Sequence, residues 1–181
     1  TEGKTVYYYT RIVYRSQVHA GEYAAFVKSF YESCLDKNAA DGLSAYLEPE
    51  NNGAGTNYSN ININSALSEV SWGTLKPQLY KEGIPIIKDI NETTASISID
   101  YQLTSQDDNG NTEVYDVTEF YRMRYMDSRI YLLDFQRSAN QIFDASLSVF
   151  SDDGIVLGVR NKDVEYMVSE EADIVAFVQQ G

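Results

Sequence analysis

The residue best suited to carboxylate chemistry is Asp134, which lies inside the apolar, aromatic-rich run 130–136. In the segment RYMDSRIYLLDFQRS, this run follows a polar break at 127–129. A general base must be desolvated to have a useful pKa. Strand alternation does not show whether the Asp134 side chain lies on the inner or the outer face of the strand, because both faces of the run are apolar. We favour a structural interpretation, in which Asp134 ends a strand and pairs with a nearby base such as Arg122 or Arg124.

Other catalytic and metal-binding residue types are scarce. Cys34 is the only cysteine and His19 the only histidine, which excludes an internal disulfide, cysteine-based metal sites and paired-histidine chemistry. The segment 107–111 resembles the start of a calcium loop, but its twelfth position is Thr118 instead of glutamate, and a hairpin turn explains the same residues. We therefore predict no catalytic residues, no metal site and no cofactor.

Aromatic side chains are the remaining candidates for a binding site, since the chain contains 15 tyrosines. Trp72, Tyr101, Tyr121 and Tyr125 are candidates to line a cavity, with Asp134 as its acid. An aromatic stripe at strand spacing more often belongs to a core, because large aromatic side chains favour strands. We favour the core interpretation and keep these five residues as the possible cavity or binding set.

Composition restricts the partners. The 181 residues suit one globular domain, and no apolar run approaches the ~20 residues of a membrane span. The net charge is −13 and there is no basic patch, which argues against nucleic acid and anionic membrane surfaces as direct partners. We expect a protein partner or self-association in preference to a small molecule.

The chain starts at Thr1, and we expect a trimmed or mature form whose leader or anchor has been removed.

The first half of the chain predicts a strand followed by helices. Residues 5–15 are rich in aromatic and β-branched side chains and predict a strand. Residues 21–37 place apolar side chains at i, i+3, i+4 and i+7, which predicts a helix with one broad apolar stripe. A short helix is predicted at 39–47, a polar loop at 48–64, and two further helical turns at 65–72 and 75–81.

The second half predicts an antiparallel sheet. Strands are predicted at 84–90, 94–104, 113–126 and 130–136, with Asn109-Gly110 as a hairpin turn. A second hairpin is predicted from 142–150 and 155–160, and a helix over 169–180 with Ser169 as its N-cap. Helices followed by a run of strands indicate an α+β fold with a curved antiparallel sheet on the long N-terminal helix. The predicted parts are an N-terminal strand (1–20), a central domain (21–138) and a C-terminal hairpin plus helix (139–181) packed on the same domain.

Residues 22–138 resemble the nuclear transport factor 2-like, cystatin-like α+β cone. The resemblance lies in the long helix EYAAFVKSFYESCLDKN, the short helix AADGLSAYL, and the strands IPIIKDI, TASISIDYQLT, TEVYDVTEFYRMRYM and SRIYLLDFQ. It implies a sheet wrapped around the first helix, with a concave cavity. The family contains isomerases, dehydratases and cyclases, and also non-catalytic binding and assembly domains of bacterial envelope proteins.

The resemblance and the missing catalytic residues together predict a non-catalytic binding or assembly domain of an exported or membrane-anchored bacterial protein. The expected location is extracytoplasmic, in the cell envelope or secreted. The alternative is a small-molecule-binding cavity protein or a lyase/isomerase-type enzyme of the same fold, with Asp134 and cavity tyrosines as its polar groups.

Overall fold

The fold is α+β, with a curved antiparallel sheet of six strands covered by an N-terminal helix. The computed structural model describes residues 5, 7–10, 12, 14, 17–49, 58–106, 110–142, 150–151, 154–155, 166–169 and 175–177. The predicted α+β class and the curved antiparallel sheet are confirmed.

The first helix, α1 (Ala20–Leu35), forms where its apolar spacing predicts it. Its buried face consists of Tyr23, Val27, Phe30, Tyr31 and Cys34. A 3₁₀ helix (Ala40–Tyr46) follows at once and adds Leu43 to the core. A one-turn helix, α2 (Leu67–Val70), lies after the loop, within the predicted helical turn at 65–72.

The main sheet contains β1 (Asn60–Asn62), β2 (Gln78–Lys81), β3 (Ile86–Ile90), β4 (Thr94–Gln106), β5 (Thr112–Met126) and β6 (Arg129–Gln141). Its order is β1-β6-β5-β4-β2, and β3 also pairs with β4. The long strands β4, β5 and β6 form two successive hairpins, as the alternation and turn signals predict. The turn between β5 and β6 is tight, because Asp127 and Ser128 both have positive φ, of 52° and 59°.

Strands β2 and β3 together form one broken edge of the sheet. Both pair with β4, β2 near Leu103 and β3 near Ile97. Between them the chain passes over β4 at Gly83, where an added Cβ would lie 2.6 Å from the carbonyl oxygen of Asp100. Only glycine permits this close approach, which fixes the connection between the two short strands.

The core lies between α1 and the inner face of the sheet. The ring of Phe30 is 5.5 Å from the Tyr121 ring and 5.0 Å from the Phe135 ring, centroid to centroid. The Tyr31 ring lies 5.2 Å from that of Tyr101. The predicted inward face of β4 is confirmed: its buried residues include Ala95, Ile97, Ile99, Tyr101 and Leu103. Burial of this aromatic and aliphatic surface is the main stabilising contribution.

Some predicted elements are wrong. The N-terminal strand is not found in the described part of 5–15, where residues 5, 7–10, 12 and 14 have no strand pairing and are exposed. A strand needs a neighbour for its backbone hydrogen bonds, and β-propensity alone does not supply one. The predicted turn at 75–81 contains the strand β2, because tertiary pairing with β4 overrides a weak local helical pattern. The predicted loop 48–64 includes β1, which pairs with β6.

The C-terminal part is only partly as predicted. A short hairpin is present, formed by β7 (Phe150–Ser151) and β8 (Gly154–Ile155), while 143–149 and 156–160 of its predicted arms lie outside the described residues. The predicted helix at 169–180 is wrong at Val175–Phe177, which form the strand β10 and pair with β9 (Tyr166–Val168). The β-branched residues Ile174, Val175 and Val178 favour a strand once a partner is available. Among the described residues there is no helix long and apolar enough to cross a membrane.

Candidate functional site

The inner face of the sheet contains an acid and a base that face each other across two strands. Alternation along β5 turns Val117, Glu119 and Tyr121 inward. Register places Glu119 directly opposite Arg137 of β6. Both side chains have zero exposure, so the pair is fully enclosed by the core.

A bulge in β6 makes this pairing possible. The register shifts between Arg122 and Met123 of β5, where the partners jump from Asp134 to Leu132. The extra residue changes the phase of the strand, so Leu132 and Phe135 are both buried although they are three positions apart. Arg137 and Ala139 then follow on the inner face. Without the bulge, strand alternation would turn Arg137 outward if Leu132 faced the core.

The Glu119 carboxylate accepts hydrogen bonds from three side chains. Its Oε1 atom accepts from the Tyr101 hydroxyl at 2.9 Å and from Arg137 Nε at 2.7 Å. Its Oε2 atom accepts from the Tyr121 hydroxyl. Charge-assisted bonds of this kind are about twice as strong as neutral ones. The negative charge is therefore compensated inside the core.

The Arg137 guanidinium is held from two further sides. Its Nη1 atom donates to the carbonyl oxygen of Val70 at 2.8 Å, at the last residue of α2. Its Cζ atom lies 4.4 Å from the ring centroid of Trp72 and 5.5 Å from that of Phe135. Trp72 has a positive φ of 64°. A guanidinium over an aromatic ring is attracted to the ring's negative face, and this attraction is stronger where water is excluded.

The electrostatics of the cluster fix its protonation states. Burial, and then the charge of Glu119, raise the pKa values of Tyr101 and Tyr121 well above 10.0, so both stay protonated donors. Burial opposes the charged form of Arg137, but the Glu119 carboxylate outweighs it and the pKa of Arg137 is raised. Burial raises the pKa of the nearby Cys34 thiol from 9.0 to about 12, which keeps it a neutral thiol.

This arrangement limits what the acid can do chemically. A general base needs an accessible lone pair directed at the proton it removes. Glu119 has no exposed surface, and its two oxygens already accept from Tyr101, Tyr121 and Arg137. The cluster has the features of a structural polar network in which the charges compensate each other.

The structure separates the residues that the sequence proposes as a site. Trp72, Tyr101 and Tyr121 are buried and meet around Glu119 and Arg137, as the preceding distances show. Tyr125 is half-buried and elsewhere: its ring stacks on His19 at 3.7 Å and contacts Tyr23 edge-on at 6.5 Å.

Asp134 lies apart from this cluster, on the half-buried part of β6 at the bulge. It accepts a hydrogen bond from Gln136 at 3.0 Å. Register places Arg122 opposite it, one of the two bases expected as its partner. Asp134 is therefore a strand residue beside the bulge and takes no part in the buried network.

Sequence reasoning missed Glu119 and Arg137. A signal for Glu119 was present, because it shares strand parity with Val117, Tyr121 and Met123, all apolar or aromatic. No comparable signal exists for Arg137, which lies beyond the predicted end of its strand at 136 and depends on the bulge.

His19 lies at the N-terminal boundary of α1, as the sequence suggests, in a left-handed conformation with φ of 51°. Its Nδ1 atom lies 3.3 Å from Oε1 of Glu22, and its ring packs on Tyr125. Within the described residues, no three His, Cys, Asp or Glu side chains are grouped so as to hold a metal ion. Asp107 and Asp108 of the calcium-like segment lie outside the described residues.

Exposed apolar side chains form a second candidate region, on the outside of the molecule. We call Leu79, Tyr80, Ile84, Ile86 and Ile87 the edge surface, since all five lie on or between β2 and β3 and are exposed. We call residues 5–15 the aromatic arm. Its described large side chains, Tyr7, Tyr8, Tyr9, Ile12 and Tyr14, are each between 76% and 95% exposed. Exposed large apolar side chains that are close together are a common feature of interaction surfaces.

Comparison with known proteins adds no relative: no protein family, no curated protein and no solved structure matches this chain.

Proposed function

We propose that this chain is a non-catalytic binding or assembly domain of an exported or membrane-anchored bacterial protein, with a nuclear transport factor 2-like cone as its fold. The observation that carries the proposal is the state of Glu119. The inward-facing acid of the sheet is enclosed, and its oxygens are used by Tyr101, Tyr121 and Arg137. The polar groups of the concave face thus serve the fold.

The exterior supports a binding role. A folded domain is more stable when its large apolar side chains are covered. The edge surface and the described part of the aromatic arm nevertheless leave such side chains exposed to water. Tyrosine is enriched at protein interfaces because it combines a large apolar body with a polar tip. The place to expect a partner is therefore the outside of the sheet edge.

The resemblance supports the rest of the proposal. A long first helix, a short helix and an antiparallel sheet occur in the order that the cone requires. Within that family, domains without catalytic residues serve in the assembly of bacterial envelope machinery and in lipoproteins. The resemblance to these envelope domains is what supports an extracytoplasmic location.

A small-molecule-binding or lyase/isomerase-type cavity protein is the second candidate, and one observation favours it. Arg137 Nη2 and Trp72 Nε1 are buried and have no hydrogen-bond partner among the described residues. Buried donors without acceptors are unfavourable, and a small polar ligand would supply acceptors. Under this candidate, ligand binding depends on Trp72, Tyr101 and Arg137.

Photo-crosslinking in cells separates the two candidates. In the full-length protein, Tyr80 of the edge surface is replaced by p-benzoylphenylalanine, and the matched control carries it at Thr118, exposed on the outer face of the same sheet. We expect a discrete protein adduct from position 80 and none from position 118. No adduct from position 80, together with a small molecule that the purified chain binds and the Trp72→Phe variant does not, would overturn the proposal.

Location is tested on the same full-length protein. Protease added to intact spheroplasts should degrade an extracytoplasmic domain while a cytoplasmic marker survives. Protection of the domain until the membrane is broken would contradict the location.

A further inference from the structure

We propose that the partner at the edge surface is a second copy of this chain, whose aromatic arm adds to β2 and β3 as a further strand. This inference rests on the proposed function and names its partner. The arrangement is reciprocal: each copy gives its arm to the other's edge, and the pair closes with twofold symmetry.

The first ground is the open edge of the sheet. Strands β2 and β3 bond to β4 on one side, and no described strand bonds to their other side. An edge strand presents backbone donors and acceptors that template pairing with another chain. Here the edge also exposes five large apolar side chains, so strand addition would cover apolar surface and satisfy backbone groups together.

The second ground is the arm. Its sequence, TVYYYTRIVYR, is rich in β-branched and aromatic residues, which favour strands, yet its described residues have no strand pairing. If it is extended, its even positions include Tyr8, Ile12 and Tyr14, while Arg11 and Arg15 fall on the odd face. The even face suits the core side of an edge, where Leu79 and Ile87 lie opposite the buried residues Leu103 and Ile97.

The third ground is charge. Residues 3–21 contain Lys4, Arg11 and Arg15 and no acid, whereas residues 22–181 contain 26 acids and 11 bases. The outward face near the edge includes Asp89, opposite Ser96, and Asp100, opposite Thr118. An arm with its even face toward the core would bring its arginines to this outer face, which also carries Lys81, opposite Gln102. The complementarity therefore lies between the arm and the acidic body as a whole. A basic arm and an acidic body are complementary between copies.

Geometry favours a second copy over the chain's own edge. The arm leads into α1 at the corner of the sheet where β3 ends. There, the His19 ring stacks on Tyr125, and the backbone N–H of Tyr125 donates to the carbonyl of Thr93 at 2.8 Å. An arm laid on its own edge would run parallel to β3, since both end at this corner. Parallel pairing is the less stable kind, and every described pair in this sheet is antiparallel.

Within one chain, the arm cannot turn back so as to pair antiparallel along the whole edge. The edge lies opposite residues 95–104 of β4, a span of about 30 Å. The link from residue 15 to residue 19 reaches about 14 Å at most. A second copy has no such restriction and can present the arm antiparallel.

Sedimentation of the purified chain between about 1 µM and about 1 mM tests the self-association. We expect a monomer–dimer equilibrium. The arm variant Tyr8→Glu/Ile12→Glu and the edge variant Tyr80→Lys/Ile86→Lys should each raise the dimer Kd at least about tenfold. The matched control, Leu133→Lys on β6, changes an equally apolar exposed strand residue and should leave Kd unchanged.

Mixed disulfides test the docking itself. Thr10→Cys and Leu79→Cys variants, mixed in equal amounts, should form a crosslinked heterodimer under mild oxidation, because both positions lie on the core side of the edge. Thr10→Cys mixed with Leu133→Cys should not. The native Cys34 is buried and does not interfere. Crosslinking of Thr10→Cys only to itself, or to Leu133→Cys, would overturn the assignment of the edge.

If something other than a second copy binds the edge surface or the aromatic arm, these experiments give different results. A chain that stays monomeric at about 1 mM overturns the second copy as partner. If it also floats with anionic lipid vesicles in an arm-dependent way, the arm binds membranes. If it is monomeric but position 80 still crosslinks a different protein in cells, the proposed function stands and only its partner changes.

Discussion

The Nε atom of Arg137 lies 2.7 Å from the Oε1 atom of Glu119, and both side chains have zero exposure. The two residues are cross-strand partners on β5 and β6, so the backbone register itself brings them together. Two tyrosine hydroxyls and a backbone carbonyl complete the network. A buried charge that loses its partner is strongly unfavourable, so the fold should be sensitive to the loss of either residue.

A double-mutant cycle on this pair should show strong coupling. Glu119→Gln leaves Arg137 buried without its counter-charge and should lower the free energy of unfolding by about 3–5 kcal/mol. Arg137→Met should have a similar effect through the uncompensated carboxylate. The double variant should be more stable than the sum of the single effects predicts. Urea unfolding of the four proteins, followed by circular dichroism, measures the coupling.

The exposed ion pair between Lys28 and Glu82 provides the control for that cycle. Its atoms lie 3.0 Å apart, but both side chains are more than half exposed. Solvent screens such pairs, so Lys28→Met and Glu82→Gln should show far weaker coupling. Equal coupling in the two cycles would mean that burial of the Glu119–Arg137 pair is not what matters.

Alkaline pH should destabilise the chain partly through Cys34. Burial raises its pKa from 9.0 to about 12, so the folded chain keeps the proton at pH values where the unfolded chain has lost it. Stability is therefore complete below pH 9 and is lost as pH rises toward 12. The stability advantage of the native chain over Cys34→Ala should shrink by about 1.4 kcal/mol per pH unit in this window.

Tyr101 and Tyr121 contribute in the same direction in both proteins. Burial and Glu119 raise their pKa values more than the charge of Cys34 does, so most of their effect cancels in the comparison. Unfolding curves of the native chain and Cys34→Ala at a series of pH values test the difference. Curves that remain parallel from pH 9 upward would contradict the role of Cys34. A thiol reagent at neutral pH should likewise label Cys34 only after unfolding.

The turn at Asp127 and Ser128 is open to stabilisation. Both residues have positive φ, of 52° and 59°, the conformation of a two-residue type I′ turn. Asparagine and glycine adopt this conformation with less strain, so Asp127→Asn/Ser128→Gly should raise the free energy of unfolding by about 0.5–1 kcal/mol. Thermal unfolding measures the gain. As a control, Thr118→Gly, inside β5, should destabilise; a gain there as well would refute the turn explanation.

Asp134→Asn should change stability only slightly. Asp134 is half-buried, bonds to Gln136, and has no contact with the Glu119 network. Substitutions away from packed cores and buried polar networks usually change the free energy of unfolding by no more than about 0.5 kcal/mol. Chemical denaturation is sufficient to check the expectation. A loss of several kcal/mol would show that the bulge depends on the charge of Asp134.

Much of the scaffold was predictable because its signals are local. The spacing of Tyr23, Val27, Phe30 and Cys34 is that of one helix face, and all four are buried. The alternation in 94–104 gave the inner face of β4 correctly. Asn109-Gly110 marked the β4–β5 hairpin, which closes between Gln106 and Thr112. Each of these signals depends on neighbours within a few residues.

Local signals failed where pairing decides the outcome. The helix predicted over 169–180 contains the strand Val175–Phe177, because a short apolar run suits either element and the partner β9 selects one. The aromatic arm has strand propensity but no strand pairing in its described residues. Propensity is a weak prior, and the missing or available neighbour overrides it.

The sequence by itself determined the buried face of the first helix and the alternating strands. Only the tertiary structure decided that Glu119 and Arg137 meet. A single extra residue at the β6 bulge changes the phase of every later side chain, and alternation in the sequence cannot show where that residue is absorbed. The inward acid and its inward base therefore become visible only when the register of β5 and β6 is known.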